Sequence, residues 1–296
     1  MVAAKTRLTG FLVALFTVVA LHAQAPDSAP RRVVSVIPAT TEMIFAMNAG
    51  DRLVGVGNFD HFPPEETNKR PRVGGLLDPD TERILALKPD LVILYNTQGE
   101  LKARLDRASV PYFSYEHRAL PDVMQTIRAL GGRLGVSADA ERLASDMERA
   151  LSGIRQSVAG KGRPRALLVF GREAGNLRAI AASGGYGFLS DLLDVAGSEN
   201  VFSDIKQQSV QASTEMILAR RPDVIIELRY GDDQRAYNIE RELQPWQTLA
   251  SVPAVRNKRV HLLVGDEFVV PGPRIVNAAR RFAETLHPGA TGADRK

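Results

Sequence analysis

Short apolar runs alternate with stretches of helical periodicity along most of the chain. Strand-like runs, rich in β-branched, leucine or aromatic residues, lie at residues 32–37, 53–56, 91–95, 110–115, 166–170, 177–181, 224–228 and 260–264. Helical patterns occupy residues 40–48, 81–88, 98–108, 188–196, 214–220, 239–250 and 273–286. Strands that alternate with helices favour βα units, so the predicted fold class is α/β, with Rossmann-like units and mainly parallel sheets.

Residues 121–160 interrupt this alternation because they contain no strand-like run. Apolar residues keep helical spacing through one helix that starts near Leu120 and through a second helix that Ser137 is expected to cap. The simplest topology is two α/β lobes joined by a single long α-helix. The predicted division is an N-terminal lobe at residues 32–134, a linking helix at residues 135–160 and a C-terminal lobe at residues 161–288.

An internal repeat supports the two lobes. Residues 81–95 (TERILALKPDLVILY) and residues 214–228 (TEMILARRPDVIIEL) share Thr, Glu, Ile, Leu, Ala, Pro, Asp and a later Ile at equivalent positions. Each copy is predicted to be a short helix that ends before a proline, followed by a buried strand. The alternative is that any α/β chain reuses such a connection, but the shared Thr-Glu start favours a true repeat.

The two ends of the chain are predicted to lie outside the lobes. Lys5 and Arg7 precede the apolar residues 11–21, and Ala23 offers a cleavage point, which together predict a secretory signal at residues 1–23. The mature protein is then expected outside the cytoplasm, in the periplasm or its equivalent; an uncleaved anchor is the alternative. Residues 24–31 are predicted to be a flexible tether, and residues 289–296 a disordered tail.

Composition excludes several classes of protein. With 44% hydrophobic and 24% charged residues, the chain can bury a core and stay soluble, unlike a disordered or polytopic membrane protein. It has no cysteine, which excludes disulfides, thiolate metal sites and thiol catalysis. The net charge is only +4, without a long basic run, so a nucleic-acid partner is not expected.

Motifs for catalysis or for a resident cofactor are absent from the sequence. There is no nucleophile elbow and no phosphate loop, and no pair of histidines has metal-ligand spacing, so no catalytic residue, cofactor or metal site is predicted. Asp60 and His61 are an acid–base candidate, but adjacent side chains on an extended chain point in different directions. A secreted enzyme therefore stays the weakest of the functions considered.

Several short motifs, taken in their order and spacing, resemble one known family. They are RVVS (32–35), PATTE (38–42), DRLVGV (51–56), FDHFPPE (59–65), VGG (73–75), ERI (82–84), KPD (88–90), GG (184–185), AG (196–197), NVF (200–202), TE (214–215), RPD (221–223) and PGPR (271–274). The chain is similar to the substrate-binding proteins of ABC importers for cobalamin and ferric chelates, the bilobal class with a rigid linking helix. The resemblance implies an extracytoplasmic receptor, monomeric when free, that delivers its ligand to a dimeric membrane permease with a cytoplasmic ATPase.

The ligand is expected between the lobes, at the loops that follow the strands. The predicted ligand-binding residues are Pro38, Thr40, Phe59, Asp60, His61, Leu76, Tyr95, Gly185, Tyr186, Gln208, Arg229 and Phe268. Their aromatic rings suit a large, flat, partly polar ligand. Leu76 stands where cobalamin-binding members often have tryptophan, so a corrinoid, a ferric chelate and haem stay open, with a bare metal ion as a further alternative.

Two features extend this prediction. Backbone amides in the glycine-rich loop at residues 183–187, just before a helix, favour an anionic group of the ligand, although a flexible connection fits equally well. Arg229 and Arg274 offer cationic contacts to a ferric chelate, and haem would need an axial ligand such as Tyr95, His61 or Tyr186.

Glu82 and Glu215 occupy equivalent places in the repeat, each just after a threonine that can cap its helix. Carboxylates in a first helical turn interact favourably with the helix dipole, and this alone explains either residue. The resemblance implies a second role, because family members present one acidic residue from each lobe to arginines of the permease. Both glutamates are therefore predicted to dock to the permease.

Overall fold

The computed structural model describes residues 29–231 and 237–289. The predicted signal at residues 1–23, most of the predicted tether and residues 290–296 of the predicted tail lie outside the described residues. Within that described part, no helix combines the length and the apolar character that a membrane-crossing segment needs.

The first lobe is built on a four-stranded parallel sheet. Its strands are β1 (Val33–Ser35), β2 (Leu53–Val56), β3 (Leu91–Tyr95) and β4 (Tyr112–Tyr115), in the order β2-β1-β3-β4. Its helices are α1 (Pro38–Ala46), α2 (Pro64–Thr67), α3 (Thr81–Ala86) and α4 (Gly99–Arg107), with a short 3-10 helix at Gly50–Arg52. All three strand pairs are parallel, so the ends of the four strands, and the loops that follow them, lie at one edge of this sheet.

The second lobe contains a mixed sheet. Its strands are β5 (Arg165–Gly171), β6 (Ile180–Ser183), β7 (Glu199–Asn200), β8 (Ser209–Ala212), β9 (Val224–Arg229) and β10 (Val260–Val264), in the order β10-β9-β5-β6-β8, with β7 beside β5. Its helices are α7 (Phe188–Val195), α8 (Thr214–Arg220), α9 (Ile239–Leu243), α10 (Pro253–Arg256) and α11 (Ile275–Leu286), with 3-10 helices at Gln244–Leu249 and Asp266–Phe268.

Two helices follow the first-lobe sheet, and the second and longer of them leads into the second lobe. They are α5 (Leu120–Leu134) and α6 (Ser137–Ser157), which pack against each other, and α6 also packs on α7 and α11. Gly135 ends α5 in the left-handed conformation, with φ of 68°, which a glycine adopts without steric cost. One continuous apolar cluster runs from the strands of the first lobe through these helices into α7 and α11, so buried packing joins the lobes.

The predicted α/β class with parallel sheets in two lobes is confirmed. Several details were wrong. The prediction missed β8, which pairs antiparallel with β6, and placed β6 about three residues too early. Ser137 is the first residue of α6 and not its cap; Val136 holds the cap position without a side-chain bond. The predicted helix at residues 239–250 changes to 3-10 geometry at Gln244, next to Pro245.

Candidate ligand cleft

Loops after the strands of the first lobe meet loops of the second lobe across a cleft. At one end, the Tyr230 hydroxyl donates to the carbonyl oxygen of Phe59 at 3.3 Å, and the rings of Tyr230 and His61 lie 6.3 Å apart. At the other end, Gln208 Nε2 donates to the carbonyl oxygen of His117 at 3.4 Å. Both contacts join residues that follow first-lobe strands to residues of the second lobe, as expected for a ligand site between two α/β sheets.

Aromatic side chains with large exposed fractions surround this cleft. Phe59 is 54% exposed, Phe62 41%, and Tyr186 and Tyr230 each 40%. Beside Tyr186 lies a cavity of about 290 Å³, whose lining residues include His117, Phe170, Tyr186, Phe188, Gln208 and Val269. Exposed rings around a mostly apolar cavity are typical of a site for a flat organic ligand.

Next to this cavity lies a cluster of four rings, from Tyr95, Tyr115, His117 and Phe188, in which Tyr95 and His117 form a polar contact. Tyr95 Oη lies 2.9 Å from His117 Nδ1, and the His117 ring makes an edge contact with Phe188, with the ring centroids 5.6 Å apart. Burial lowers the pKa of His117, so its imidazole is neutral at pH 7. Burial, with the nearby Glu116, raises the pKa of Tyr95, so its hydroxyl stays protonated.

Four of the predicted ligand-binding residues lie at the cleft surface, namely Phe59, His61, Tyr186 and Gln208. Pro38, Leu76 and Tyr95 are half-buried, and Tyr95 faces His117. The backbone carbonyl of Leu76 accepts a hydrogen bond from Gln98 Nε2 at 2.6 Å, which joins its loop to the one after β3.

Three predicted residues are buried and offer no surface to a ligand. Thr40 is 0% exposed because it lies within α1, where its hydroxyl bonds to Ser35 Oγ at 2.8 Å. Asp60 is 1% exposed, and Phe268 is 2% exposed with its ring stacked on Phe282. These assignments were wrong because a position after a strand does not fix the direction of the side chain.

Arg229 and the glycine-rich loop also differ from the prediction. Arg229 is committed to two carboxylates, Glu227 and Glu242. The backbone N–H groups of Gly184, Gly185 and Tyr186 already donate to carbonyl oxygens of residues 208, 205 and 207, at 3.1, 2.8 and 3.3 Å. These three amides are therefore not available to an anion, and a Cβ on Gly185 would lie only 2.2 Å from the carbonyl oxygen of Ser203. Glycine occurs here because segment 203–208 packs so closely.

Asp60 lies beneath the cleft surface as a buried acid. The backbone N–H of Gly57 donates to its carboxyl group, and Arg72 Nη1 donates to its backbone carbonyl at 2.6 Å. Burial outweighs these interactions and raises the pKa of Asp60 to about 8, so the side chain is largely protonated at neutral pH. Its contacts with Gly57 and Arg72 hold the loop that carries Phe59 and His61, and its own side chain does not reach the cleft.

His117 and Tyr230 were not among the predicted site residues. Each follows a strand, β4 and β9 respectively, so the rule that located the other loops also reaches them. Neither residue has a periodic pattern or a motif to single it out, and only the approach of the opposite lobe shows that both face the cleft.

Glu82 and Glu215 are both exposed, in the first turns of α3 and α8. The expected threonine caps were wrong. Asp80 caps α3 by accepting from the N–H of Arg83, and Ser213 caps α8 by accepting from the N–H of Met216. Hydrogen bonding to Ser213 lowers the pKa of Glu215, so its side chain is charged at neutral pH.

Metal ligation by several side chains has no support in residues 29–231 and 237–289. No group of three or more His, Asp or Glu side chains there is arranged to hold a metal ion. A metal inside an organic chelate or macrocycle brings most of its own ligands and does not need such a group.

Comparison with known proteins gives a consistent result. A family model described as periplasmic binding protein matches residues 33–266. The vitamin B12-binding protein of Pectobacterium carotovorum subsp. carotovorum is 29% identical over 272 residues, which cover 89% of this chain and 92% of that protein. The vitamin B12-binding protein of Yersinia pseudotuberculosis is 27% identical over 278 residues, covering 93% and 91%.

Solved structures share the fold. A periplasmic heme-binding protein from Roseiflexus sp. RS-1 aligns with a TM-score of 0.72 and 26% identity, covering 88% of this chain and 99% of that one. The periplasmic vitamin B12-binding protein of Vibrio cholerae aligns with a TM-score of 0.72 and 24% identity, covering 87% and 97%. The same fold therefore occurs in proteins named for two different metal macrocycles.

Proposed function

The chain belongs to the periplasmic binding protein family, and we propose that it captures a corrinoid between its lobes and delivers it to the membrane permease of an ABC importer. The observation that carries this proposal is the cleft, which has exposed aromatic rings on both lobes and arginines that are already paired. Capture of this kind requires no covalent chemistry, in keeping with a family of binding proteins.

Charge pairing at the cleft favours a ligand without carboxylates. Arg118 Nε lies 2.9 Å from Glu116, Arg229 Nη2 lies 3.3 Å from Glu242, and Arg274 Nη2 lies 2.6 Å from Glu42. An anionic chelate, or haem with its two propionates, would bury charge that these paired arginines do not compensate. The carboxamide side chains of a corrinoid are neutral and meet the polar tips of Tyr186, Tyr230 and Gln208 instead.

The related proteins support the same ligand class. The curated relatives described above are named for vitamin B12 and match this chain over most of its length. Leu76 offers less flat surface than the tryptophan common in such proteins, so we expect the other cleft rings to contribute more of the stacking.

A thermal-shift screen tests the proposal directly. A ligand that binds only the folded state raises its apparent melting temperature. Cyanocobalamin and cobinamide are expected to raise the melting temperature, and ferric siderophores to leave it unchanged. Tyr186→Ala should weaken cyanocobalamin binding about tenfold or more, while Leu218→Ala, a matched loss of a 40% exposed side chain outside the cleft, should not. Absence of any shift with either corrinoid contradicts the proposal.

Haem is the second candidate, favoured by one observation. A neutral His117 beside the cavity, held by Tyr95, can approach a metal that brings its own ring of equatorial ligands. Absorption spectra after addition of haem separate the candidates, because axial ligation shifts the Soret band. A shift that His117→Ala removes, and that His61→Ala retains, would favour haem over a corrinoid.

We also propose that Glu82 and Glu215 dock to the permease. Two exposed carboxylates, one in each lobe, give register and orientation on a basic surface more than raw affinity. Replacing both with lysine should abolish most uptake while leaving cyanocobalamin affinity unchanged. Glu65→Lys with Glu240→Lys is the matched control, since both are exposed first-turn acids of short helices, one in each lobe. Normal uptake by the variant with lysine at both positions would contradict docking, and the two glutamates would then interact only with the dipoles of their helices.

The location and the division of the chain belong to the same proposal. We place the protein outside the cytoplasm after removal of residues 1–23, with lobes at residues 32–134 and 161–288 and a linking helix at residues 135–160. Mass spectrometry of the native protein should find a start near Gln24, and an intact Met1 would contradict cleavage.

A further inference from the structure

A buried carboxylate in the first lobe has its partner in the second lobe. Glu42 is the only charged residue of α1 and is 5% exposed, among apolar neighbours such as Met43 and Ile44. A buried carboxylate is unfavourable unless it is paired and hydrogen-bonded. Its partner is Arg274, 232 residues further along the chain, just before α11.

The contact between the two residues is bidentate. Arg274 Nη2 lies 2.6 Å from Glu42 Oε1, and Arg274 Nε lies 3.1 Å from Glu42 Oε2. Two parallel bonds between a planar guanidinium and a carboxylate fix orientation as well as distance. Gly272 allows this approach, since a Cβ at that position would lie 2.9 Å from Glu42 Oε2.

The same guanidinium holds a second segment of the first lobe. Arg274 Cζ lies 4.2 Å from the centroid of the Phe62 ring, within cation–π distance. Phe62 belongs to the loop after β2 that also carries Phe59 and His61 to the cleft. One arginine of the second lobe thus contacts both α1 and the cleft loop of the first lobe.

The two hydrogen bonds across the cleft described above are weaker than this pair. The Tyr230–Phe59 and Gln208–His117 hydrogen bonds, at 3.3 and 3.4 Å, involve exposed groups that compete with water. The Glu42–Arg274 pair is shielded from solvent, with side-chain exposures of 4% and 16%. A shielded bidentate pair holds two surfaces in register far better than exposed single bonds do.

We propose that Glu42, Arg274 and Phe62 form an interlobe strut that sets the width of the cleft before ligand arrives and positions the loop at residues 59–62. These are positioning residues, which act on the ligand through the lobe separation and through Phe59 and His61. The strut itself rests on the fold; only its effect on affinity rests on the proposed function.

A variant of Arg274 has a close control within the second lobe. Arg220 pairs bidentately with Asp204 at 2.7 and 2.8 Å, and its guanidinium lies 5.4 Å from the Phe202 ring centroid. This arrangement repeats the carboxylate–arginine–phenylalanine chemistry without crossing between the lobes. Arg274→Met and Arg220→Met therefore remove similar groups with different expected consequences.

The lobe separation can be measured without ligand. Because the chain has no cysteine, Ala103→Cys in α4 and Arg256→Cys in α10 give one spin label on an exposed site of each lobe. Electron–electron dipolar spectroscopy should show a longer and broader distance distribution for Arg274→Met, by several ångströms, and an unchanged one for Arg220→Met. An unchanged distribution for Arg274→Met overturns the strut.

Affinity provides the second readout. Cyanocobalamin should bind at least tenfold more weakly to Arg274→Met, less weakly to Arg274→Lys, and normally to Arg220→Met. If the interlobe distance changes but the affinity for cyanocobalamin does not, the positioning role is contradicted. If neither the parent protein nor any variant binds cyanocobalamin, the proposed function is contradicted, but the distance measurement still tests the strut. If Arg274→Met does not fold, Glu42→Gln replaces it, because it removes the charge and retains the shape; wild-type distance and affinity in that variant overturn the proposal.

Discussion

The two copies of the repeat, one in each lobe, build the same connection. In the first copy, α3 ends before Lys88, whose φ is 47°, and Pro89 and Asp90 follow. In the second copy, α8 ends before Arg221, whose φ is 50°, and Pro222 and Asp223 follow. Each aspartate then accepts backbone N–H groups at the start of a neighbouring strand, Asp90 near β1 and Asp223 at β5.

The copies differ inside the strand that follows. Leu94 in β3 and Glu227 in β9 hold equivalent repeat positions, and both are 0% exposed. Leu94 joins the apolar core, whereas Glu227 contacts Arg172 and accepts from Trp246 Nε1 at 2.7 Å. The Arg172 side chain is also fully buried and donates to the carbonyl oxygens of residues 173, 176 and 242. At this equivalent strand position, the first lobe is thus stabilised by apolar packing and the second lobe by a charged network.

This difference teaches that a repeat conserves the backbone connection more than the interior. The αL–Pro–Asp turn depends on local chain geometry, which both copies need. The interior position depends on what packs over the strand, and only the second lobe brings α9 and Trp246 there.

The largest expected effect comes from breaking the charged network. Arg172→Met leaves Glu227 with one fewer cation in a buried site and should lower the free energy of unfolding by about 3–5 kcal/mol. Adding Glu227→Leu should recover part of this loss, because it removes the stranded charge. Leu94→Met, the volume-conserving change in the other lobe, should cost less than about 1.5 kcal/mol. Chemical denaturation measures the free energy of unfolding of all three variants. Equal losses for Arg172→Met and Leu94→Met would contradict the difference between the two lobes.

A second comparison concerns buried acids, since Asp60 of the first lobe lacks the buried arginine partner that Glu227 has. The folded pKa of Asp60, about 8, lies well above the usual pKa of an aspartate, about 4. Between pH 4 and 8 the unfolded chain therefore loses the proton that the folded chain keeps. Wild-type stability therefore falls through that window as pH rises. Asp60→Asn should give little change at pH 4 and a gain of about 1 kcal/mol or more at pH 8.

The control for this pH effect is Asp204→Asn. Arg220 lowers the pKa of Asp204, the opposite direction, so this variant should show no gain at pH 8. Unfolding free energies at several pH values decide the matter, and a constant Asp60→Asn effect across the range would contradict the assigned pKa.

The two aspartates of the repeat should differ in cost. Asp90 accepts two N–H groups, from Arg31 and Arg32 at 2.8 and 2.9 Å, whereas Asp223 accepts one, from Arg165 at 3.0 Å. Hydrogen bonds to a charged group contribute about 1.5–3 kcal/mol each, less where exposed. Asp90→Ala should therefore cost about 2 kcal/mol and Asp223→Ala about 1 kcal/mol. The reverse order in thermal or chemical denaturation would contradict the assignment.

The smallest expected effects separate the true helix caps from their neighbours. Asp80→Ala and Ser213→Ala should each cost about 1 kcal/mol, because each removes the acceptor of an otherwise unpaired helical N–H. Thr81→Ala and Thr214→Ala should cost clearly less, since neither threonine caps its helix. A larger loss from the threonine variants would restore the capping role expected from the sequence.

The sequence by itself determined the architecture. Alternating apolar runs predicted the α/β class and placed β3, α8 and β10 at the bounds that the structure has, because burial of one face imposes a periodicity on a helix or strand. The repeat predicted the two lobes, and the proline after each helix fixed where that helix ends.

Only the tertiary structure decided which side chains reach the cleft. Thr40, Asp60 and Phe268 occupy the expected loops or helix starts, yet turn inward, because loops have no periodicity that fixes side-chain direction. The amides of residues 184–186 are used by residues 205–208, and Glu42 finds Arg274 across 232 residues. Such pairings depend on how separate segments pack, and no local pattern in the chain encodes that geometry.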